Sequence, residues 1–202
     1  LAEWGHAGPH VVLAHGVQLT RAQMKKVAKA STRIVHCPSA NMKLASGIAD
    51  VVAMRDAGIV VGLGADGAPC NNRMDAWTEL RQAALLAKVK RLDAAALSAV
   101  DALAMATIDG ARALGIDDQT GSIEVGKKAD LMVVDLEGLH AQPGGDPITR
   151  LVYSCTASDV REVLVDGAWV VRRGEVQTLD EARVRKDAIR EGKKVLARAG
   201  LT

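Results

Sequence analysis

The sequence predicts an α/β fold of successive strand-helix units, followed by a short all-β element and a closing helix. Three observations predict it. Up to about residue 118, short apolar runs alternate with amphipathic stretches and no hairpin turn separates them. Regular two-residue alternation starts only later, around Asp166-Gly167, a dipeptide favoured in two-residue hairpins. The apolar share is 49% of 202 residues and comes from Ala, Val and Leu, with no Phe, one Tyr and three Trp. That composition suits helices packed tightly on buried strands better than a sandwich of aromatic-rich strands.

Residues 11–15 (VVLAH) read as a buried strand. A helix over 20–29 follows, with Thr20 as N-cap and Gln23 at the capping-box position. Residues 32–36 (TRIVH) form the next strand, 48–57 its helix with Gly58 as the stop, and 59–63 (IVVGL) the third strand. Strand-helix units in succession imply parallel strands. Their tails, AHG, HCPSAN and GADG, are polar and lie where α/β folds place active sites. Helices are expected over 75–88, 93–100 and 101–114. From Gly121, GSIEVGKKADLMVVDL reads as two short strands about a Gly-Lys-Lys turn, and VREVLVDGAWVVRRGEV as two strands joined at 166–167. An amphipathic helix over about 179–199 ends the chain, and a boundary near Asp118 divides it into 1–118 and 119–202.

Net charge is +2 with acidic and basic residues interleaved, so the chain lacks the electrostatic stripe of a nucleic-acid binder. Scarce aromatics remove the base-stacking platform as well. Cys37, Cys70 and Cys155 are odd in number and dispersed, which argues against a disulfide framework or a thiolate zinc site and fits a reducing cytoplasm. No apolar run approaches the roughly 20 residues that cross a bilayer, so no membrane partner is expected.

Asp66 follows an apolar strand with glycines on both sides, which let the backbone turn sharply beside a ligand. It can bind a metal or accept a proton, or it can cap a loop. His15 ends its strand in the same way, as ligand, general base or hydrogen-bond donor, or as a histidine that satisfies a local carbonyl. His36 heads HCPSANMKLASG, in which Pro38 blocks a helix and Ser39 and Asn41 are small polar groups. This reads either as a ligand-facing loop or as a structural turn with Ser46 as N-cap and Asn41 bonded to its own backbone. Cys37 and Cys70 read as small buried side chains. Together, His15, His36 and Asp66 terminate three successive parallel strands, and a barrel would gather all three at one mouth.

LAHGVQL, VHCPSANMKLASGIADV, VGLGADGAPCNNRMDAWTELRQAALL and GSIEVGKKADLMVVDL resemble the amidohydrolase superfamily. The resemblance is to the branch of methylthioadenosine/S-adenosylhomocysteine deaminases, deoxyadenosine deaminases and triazine chlorohydrolases. It implies the C-terminal part of a TIM-type (β/α)8 barrel, with strands six, seven and eight ending at His15, His36 and Asp66, then part of a small β-sandwich and a C-terminal helix. By resemblance, Asp66 binds one divalent metal, zinc, and takes a proton from water. His15 polarises the substrate or holds the attacking water, while His36 contacts the substrate. The activity implied is hydrolytic deamination of an adenine-type nucleoside. Chlorohydrolase or guanine-type aminohydrolase chemistry on the same barrel is the nearer alternative, and a non-catalytic interaction module the more distant one. A small heterocyclic substrate and a homo-oligomer are the expected partners.

The resemblance also implies metal ligands that would lie upstream of Leu1: an HxH pair on the first strand, and a fifth-strand His with a Glu three residues on. His6 and His10 fall outside that pattern. A tight zinc site needs three or four protein ligands. These 202 residues alone are therefore expected neither to hold the metal firmly nor to turn over substrate, and their open sheet edges favour association.

Overall fold

The computed structural model describes residues 5–201. Its first sheet comprises β1 (Val12–Ala14), β2 (Arg33–His36) and β3 (Val61–Leu63), paired in that order and parallel throughout. Between them run α1 (Arg21–Lys29), α2 (Pro38–Lys43) and α3 (Val51–Asp56). Thr20 caps α1 in a complete capping box with Gln23, as its sequence spacing implies. The parallel arrangement expected from the absence of hairpins is present.

Three helical expectations need correction. Pro38 starts α2, because a proline at the first helical position loses only an N–H that has no partner there. The cap of α3 is Asp50, whose side chain accepts from Ala53 N–H, and Ser46 has no such role. Residues 93–97 turn instead of forming a helix: Leu97 takes φ +50, and Lys88 Nζ donates to the carbonyls of Ala94 (2.8 Å) and Ala96 (2.9 Å).

Beyond β3 come the short α4 (Ala68–Asn71), α5 (Ala76–Arg91), α6 (Ala99–Ala106) and α7 (Ile108–Leu114). The helix expected over 101–114 is broken at Thr107, which has φ −126 and ψ −101. Helix α7 packs on β3 at Gly62, where an added Cβ would lie 3.0 Å from the Gly110 Cα. The absent side chain is what lets helix and strand approach. Around this contact Ile34, Met54, Val61 and Met105 are fully buried with Ala83 and Ala84. Arg55 joins α3 to α7 and α6, with bonds to Asp109 (2.7 Å) and Asp101 (3.2 Å).

The second sheet is antiparallel, β4 (Leu131–Val134), β5 (Val160–Val165), β6 (Ala168–Arg172) and β7 (Glu175–Val176), in that order. Asp166 and Gly167, both with positive φ, make the β5–β6 turn in the conformation their dipeptide favours. The strand expected in 121–125 does not form. That segment takes turns, with Ile123 and Val125 exposed. A helix that sequence analysis did not anticipate, α8 (Pro147–Tyr153), precedes β5 and packs on α5 and α6. Trp77 Nε1 and Arg81 Nε, both on α5, donate to carbonyl oxygens of Leu151 and Tyr153.

The chain ends in α9 (Glu181–Arg198), which buries none of its described residues. An apolar groove of about 840 Å3 separates the sheets, with Val35, Leu63 and Leu114 facing Leu131 and Val163. No helix among the described residues is long and apolar enough to cross a membrane.

Candidate active site

The three sequence-predicted residues lie at the carboxyl ends of the parallel strands: His36 is the last residue of β2, while His15 and Asp66 follow β1 and β3. His15 N–H donates to Val35 O (2.8 Å), so residue 15 is still pinned to the neighbouring strand when its backbone enters the left-handed region at φ +68. Gly64 N–H donates to His36 O (2.9 Å) in the same way, and two residues later Asp66 also adopts a left-handed backbone at φ +62. Such conformations are uncommon for residues with a side chain and gather at functional sites.

The turns bring His15 Nε2 to 3.7 Å from Asp66 Oδ2. Both side chains remain accessible, at 38% and 27%. Asp66 Oδ1 accepts from Gly67 N–H (2.6 Å), which orients the carboxylate. On its other edge, His15 Nδ1 lies 2.8 Å from Asn41 Oδ1. Of the two readings of this segment, the structural turn would have Asn41 bond its own backbone, and its Oδ1 meets His15 instead. An open groove of about 650 Å3 reaches His15 and Asn41, bordered by Val17, Gln18 and Leu44, and Asp66 lies outside its lining.

His36 stands apart from the open pair, only 2% exposed. Burial, with a smaller contribution from His15, lowers its pKa to about 4, so the imidazole is neutral near pH 7. Its Nδ1 has no hydrogen-bond partner among the described residues. Cys37 is buried next to it. Burial, then the Asp66 and Glu79 carboxylates, push its thiol up to about 11, against an opposing hydrogen bond from the Asp66 backbone. Cys70 is only partly buried, less than its sequence reading implies.

Sequence reading missed Glu79. This α5 carboxylate is 1% exposed and accepts from Ser39 N–H (3.0 Å) and Asn71 Nδ2 (2.7 Å). Asn71 Nδ2 also donates to Ala65 O (2.6 Å), next to Asp66. One side chain thus ties α2, which follows β2, to α4, which follows β3. Lys43 Nζ adds a second tie, donating to Pro69 O (2.7 Å) and to Asn72 Oδ1. The only available signal was a glutamate within an expected helix, between Thr78 and Leu80.

Asp66 Oδ2 accepts no hydrogen bond from the described residues and is free to ligate a cation. Among those residues, however, no group of three or more His, Cys, Asp or Glu side chains is placed to hold a metal. The set present therefore fits one share of a metal site.

Comparison with known proteins identifies the family. The chain is 47% identical over 188 residues to a 5-methylthioadenosine/S-adenosylhomocysteine deaminase of Halobacterium salinarum, covering 93% of this chain and 43% of that protein. It is 41% identical over 199 residues to a 5′-deoxyadenosine deaminase of Methanosarcina acetivorans, covering 98% of this chain and 46% of that one. It thus spans somewhat less than half the length of these relatives.

Among solved structures, an adenosine deaminase of Xanthomonas campestris with bound zinc superposes with a TM-score of 0.95 at 37% identity, over 97% of this chain and 45% of that one. An atrazine chlorohydrolase of Arthrobacter aurescens complexed with zinc gives 0.88 at 29% identity, over 94% and 42%. The pattern of the amidohydrolase family matches residues 1–170. With parallel strands that bring His15 and Asp66 to within 3.7 Å of each other, and with relatives at this identity, the chain belongs to the amidohydrolase family.

Proposed function

We propose that the natural gene product carrying this chain is a metal-dependent hydrolytic deaminase of adenine-type nucleosides. Methylthioadenosine, S-adenosylhomocysteine and deoxyadenosine are the candidate substrates. The observation that carries the reading is the approach of His15 Nε2 to Asp66 Oδ2, 3.7 Å apart at the carboxyl ends of parallel strands. Relatives named for these activities support it.

Asp66 is proposed to contribute one metal ligand through Oδ2 and to receive the proton that water loses. When bound, the cation acidifies a water molecule toward neutral pH. His15, on the opposite side of the gap, orients that water as its oxygen bonds to the ring carbon; the C–N bond then breaks and the amino group leaves as ammonia with the proton Asp66 received. His36 is proposed to meet the substrate, since its unpartnered Nδ1 leaves one hydrogen-bonding atom for a bound ring. We further propose that 1–118 completes a barrel with other strands and that 119–202 forms part of a β-sandwich with its helix; separate strand pairing in the two sheets supports the division.

The test is ammonia release from the three nucleosides and from guanine. Release from an adenine nucleoside supports the proposal. Release from guanine alone, or dechlorination of a triazine with no deamination, moves the chain to the corresponding branch, and no release at all removes the deaminase reading.

A further inference from the structure

We infer that Asn41 is a positioning residue that fixes His15 as the Nδ1–H tautomer, leaving the Nε2 lone pair directed at Asp66. The inference deepens the deaminase reading and rests on it for its catalytic meaning, although the proton's position can be measured without it.

The argument starts from the donor inventory. A side-chain amide oxygen only accepts, so the 2.8 Å contact between Asn41 Oδ1 and His15 Nδ1 requires the proton on Nδ1. Neutral imidazole carries one proton, so Nε2 is then an acceptor. Nε2 and Asp66 Oδ2 are 3.7 Å apart, longer than the 2.7–3.2 Å of an N–H···O bond, so the two are not directly bonded. Two acceptors at that spacing repel unless a donor or a cation sits between them. A water with one hydrogen on each meets the requirement. Were the amide turned over, its Nδ2 would donate to Nδ1 and the imidazole proton would move to Nε2, giving His15 a donor where the proposed reaction needs an acceptor.

The amide is well placed to impose this choice. Asn41 is 2% exposed, and its backbone is held on both sides, N–H to Cys37 O (3.0 Å) and O from Ser46 N–H (2.9 Å). Lys43, two residues on, anchors α2 to α4 through Pro69 O. The remaining amide hydrogens on Nδ2 have no partner among the described residues, so Asn41 meets His15 with a rigid acceptor and keeps a donor in reserve beside it.

The experiment uses the natural gene product with 15N-labelled histidine, His15 being assigned by its loss in His15→Gln. Long-range proton–nitrogen spectra, taken where the ring is neutral, should show Nδ1 protonated and Nε2 bare. Asn41→Asp keeps an acceptor and should keep that tautomer. Asn41→Leu should redistribute it toward Nε2–H, with kcat falling about 100-fold and KM little changed, the scale expected when a reacting group loses its orientation. A proton on Nε2 in the parent protein overturns the inference, however the variants fold. An Nδ1–H signal unchanged in a folded Asn41→Leu also overturns it. Absence of ammonia release by the parent removes the deaminase reading and leaves the tautomer result intact.

Discussion

Glu79 Oε1 accepts a 2.7 Å hydrogen bond from Asn71 Nδ2, and its other oxygen a 3.0 Å bond from Ser39 N–H, at a site with 1% exposure. The carboxylate has no cation partner among the described residues, its contacts being the two donors. Two donors, one from α2 and one from α4, converge on it instead. Removing the carboxylate strands both. We expect Glu79→Ala to destabilise the protein by about 2–5 kcal/mol, from the usual cost of two buried unsatisfied groups. Glu79→Gln should cost part of that, because its amide nitrogen would face a donor. Urea unfolding midpoints measure both, and unchanged midpoints would show that the tie holds nothing.

Asp66→Asn retains the shape of the side chain and removes its negative charge. If Asp66 is ligand and proton acceptor, ammonia release should fall by about 1,000-fold, within the range for loss of a positioned base. Metal content should fall with it. Thermal unfolding of the metal-free protein should hardly change, since the carboxylate is 27% exposed and Oδ2 has no hydrogen-bond partner among the described residues. Activity within tenfold of the parent would rule out Asp66 as the acceptor.

Acid should destabilise the fold through His36. The pKa drops from 6.5 in the unfolded chain to about 4 in the folded one. Between those values the unfolded state binds the proton and the folded state does not, so stability is complete above pH 6.5 and is lost as pH falls toward 4. At about 1.4 kcal/mol per unit the contribution is about 3 kcal/mol. His36→Asn should flatten the slope of unfolding free energy across that window. A slope identical to the parent's would assign the acid sensitivity elsewhere.

Alkylation should separate the cysteines. Cys37 is 4% exposed and its thiol is pushed up to about 11, so it presents little thiolate at pH 8. Cys70 is only partly buried. Iodoacetamide followed by peptide mass mapping should label Cys70 first and leave Cys37 unmodified while the protein stays folded. Early labelling of Cys37 would contradict the buried, protonated thiol.

How far the sequence discloses this site depends on the range of the forces involved. The parallel strands and the Thr20 cap are legible because alternation and capping act over a few residues. His15 and Asp66 are legible because a polar residue after a buried strand has nowhere to go but the sheet's edge. Glu79 is hidden because its partners Ser39 and Asn71 lie 40 and 8 positions away, and nothing in its helical neighbourhood records them. The mistaken helix over 93–97 has a similar origin, since the ammonium of Lys88 binds carbonyls that a helix would have used. Pro38 misleads for a local reason: the same ring that breaks a helix interior is well suited to its first position.

The left-handed backbones at His15 and Asp66 mean that this fold is not at its most durable where it is most capable. Glycine would occupy either position without the penalty of about 1 kcal/mol or more that a side chain incurs there. Selection for hardiness alone, in a screen blind to chemistry, should therefore drift toward glycine at 15 and 66, and a thermally improved lineage that keeps both residues is one in which turnover is still being required.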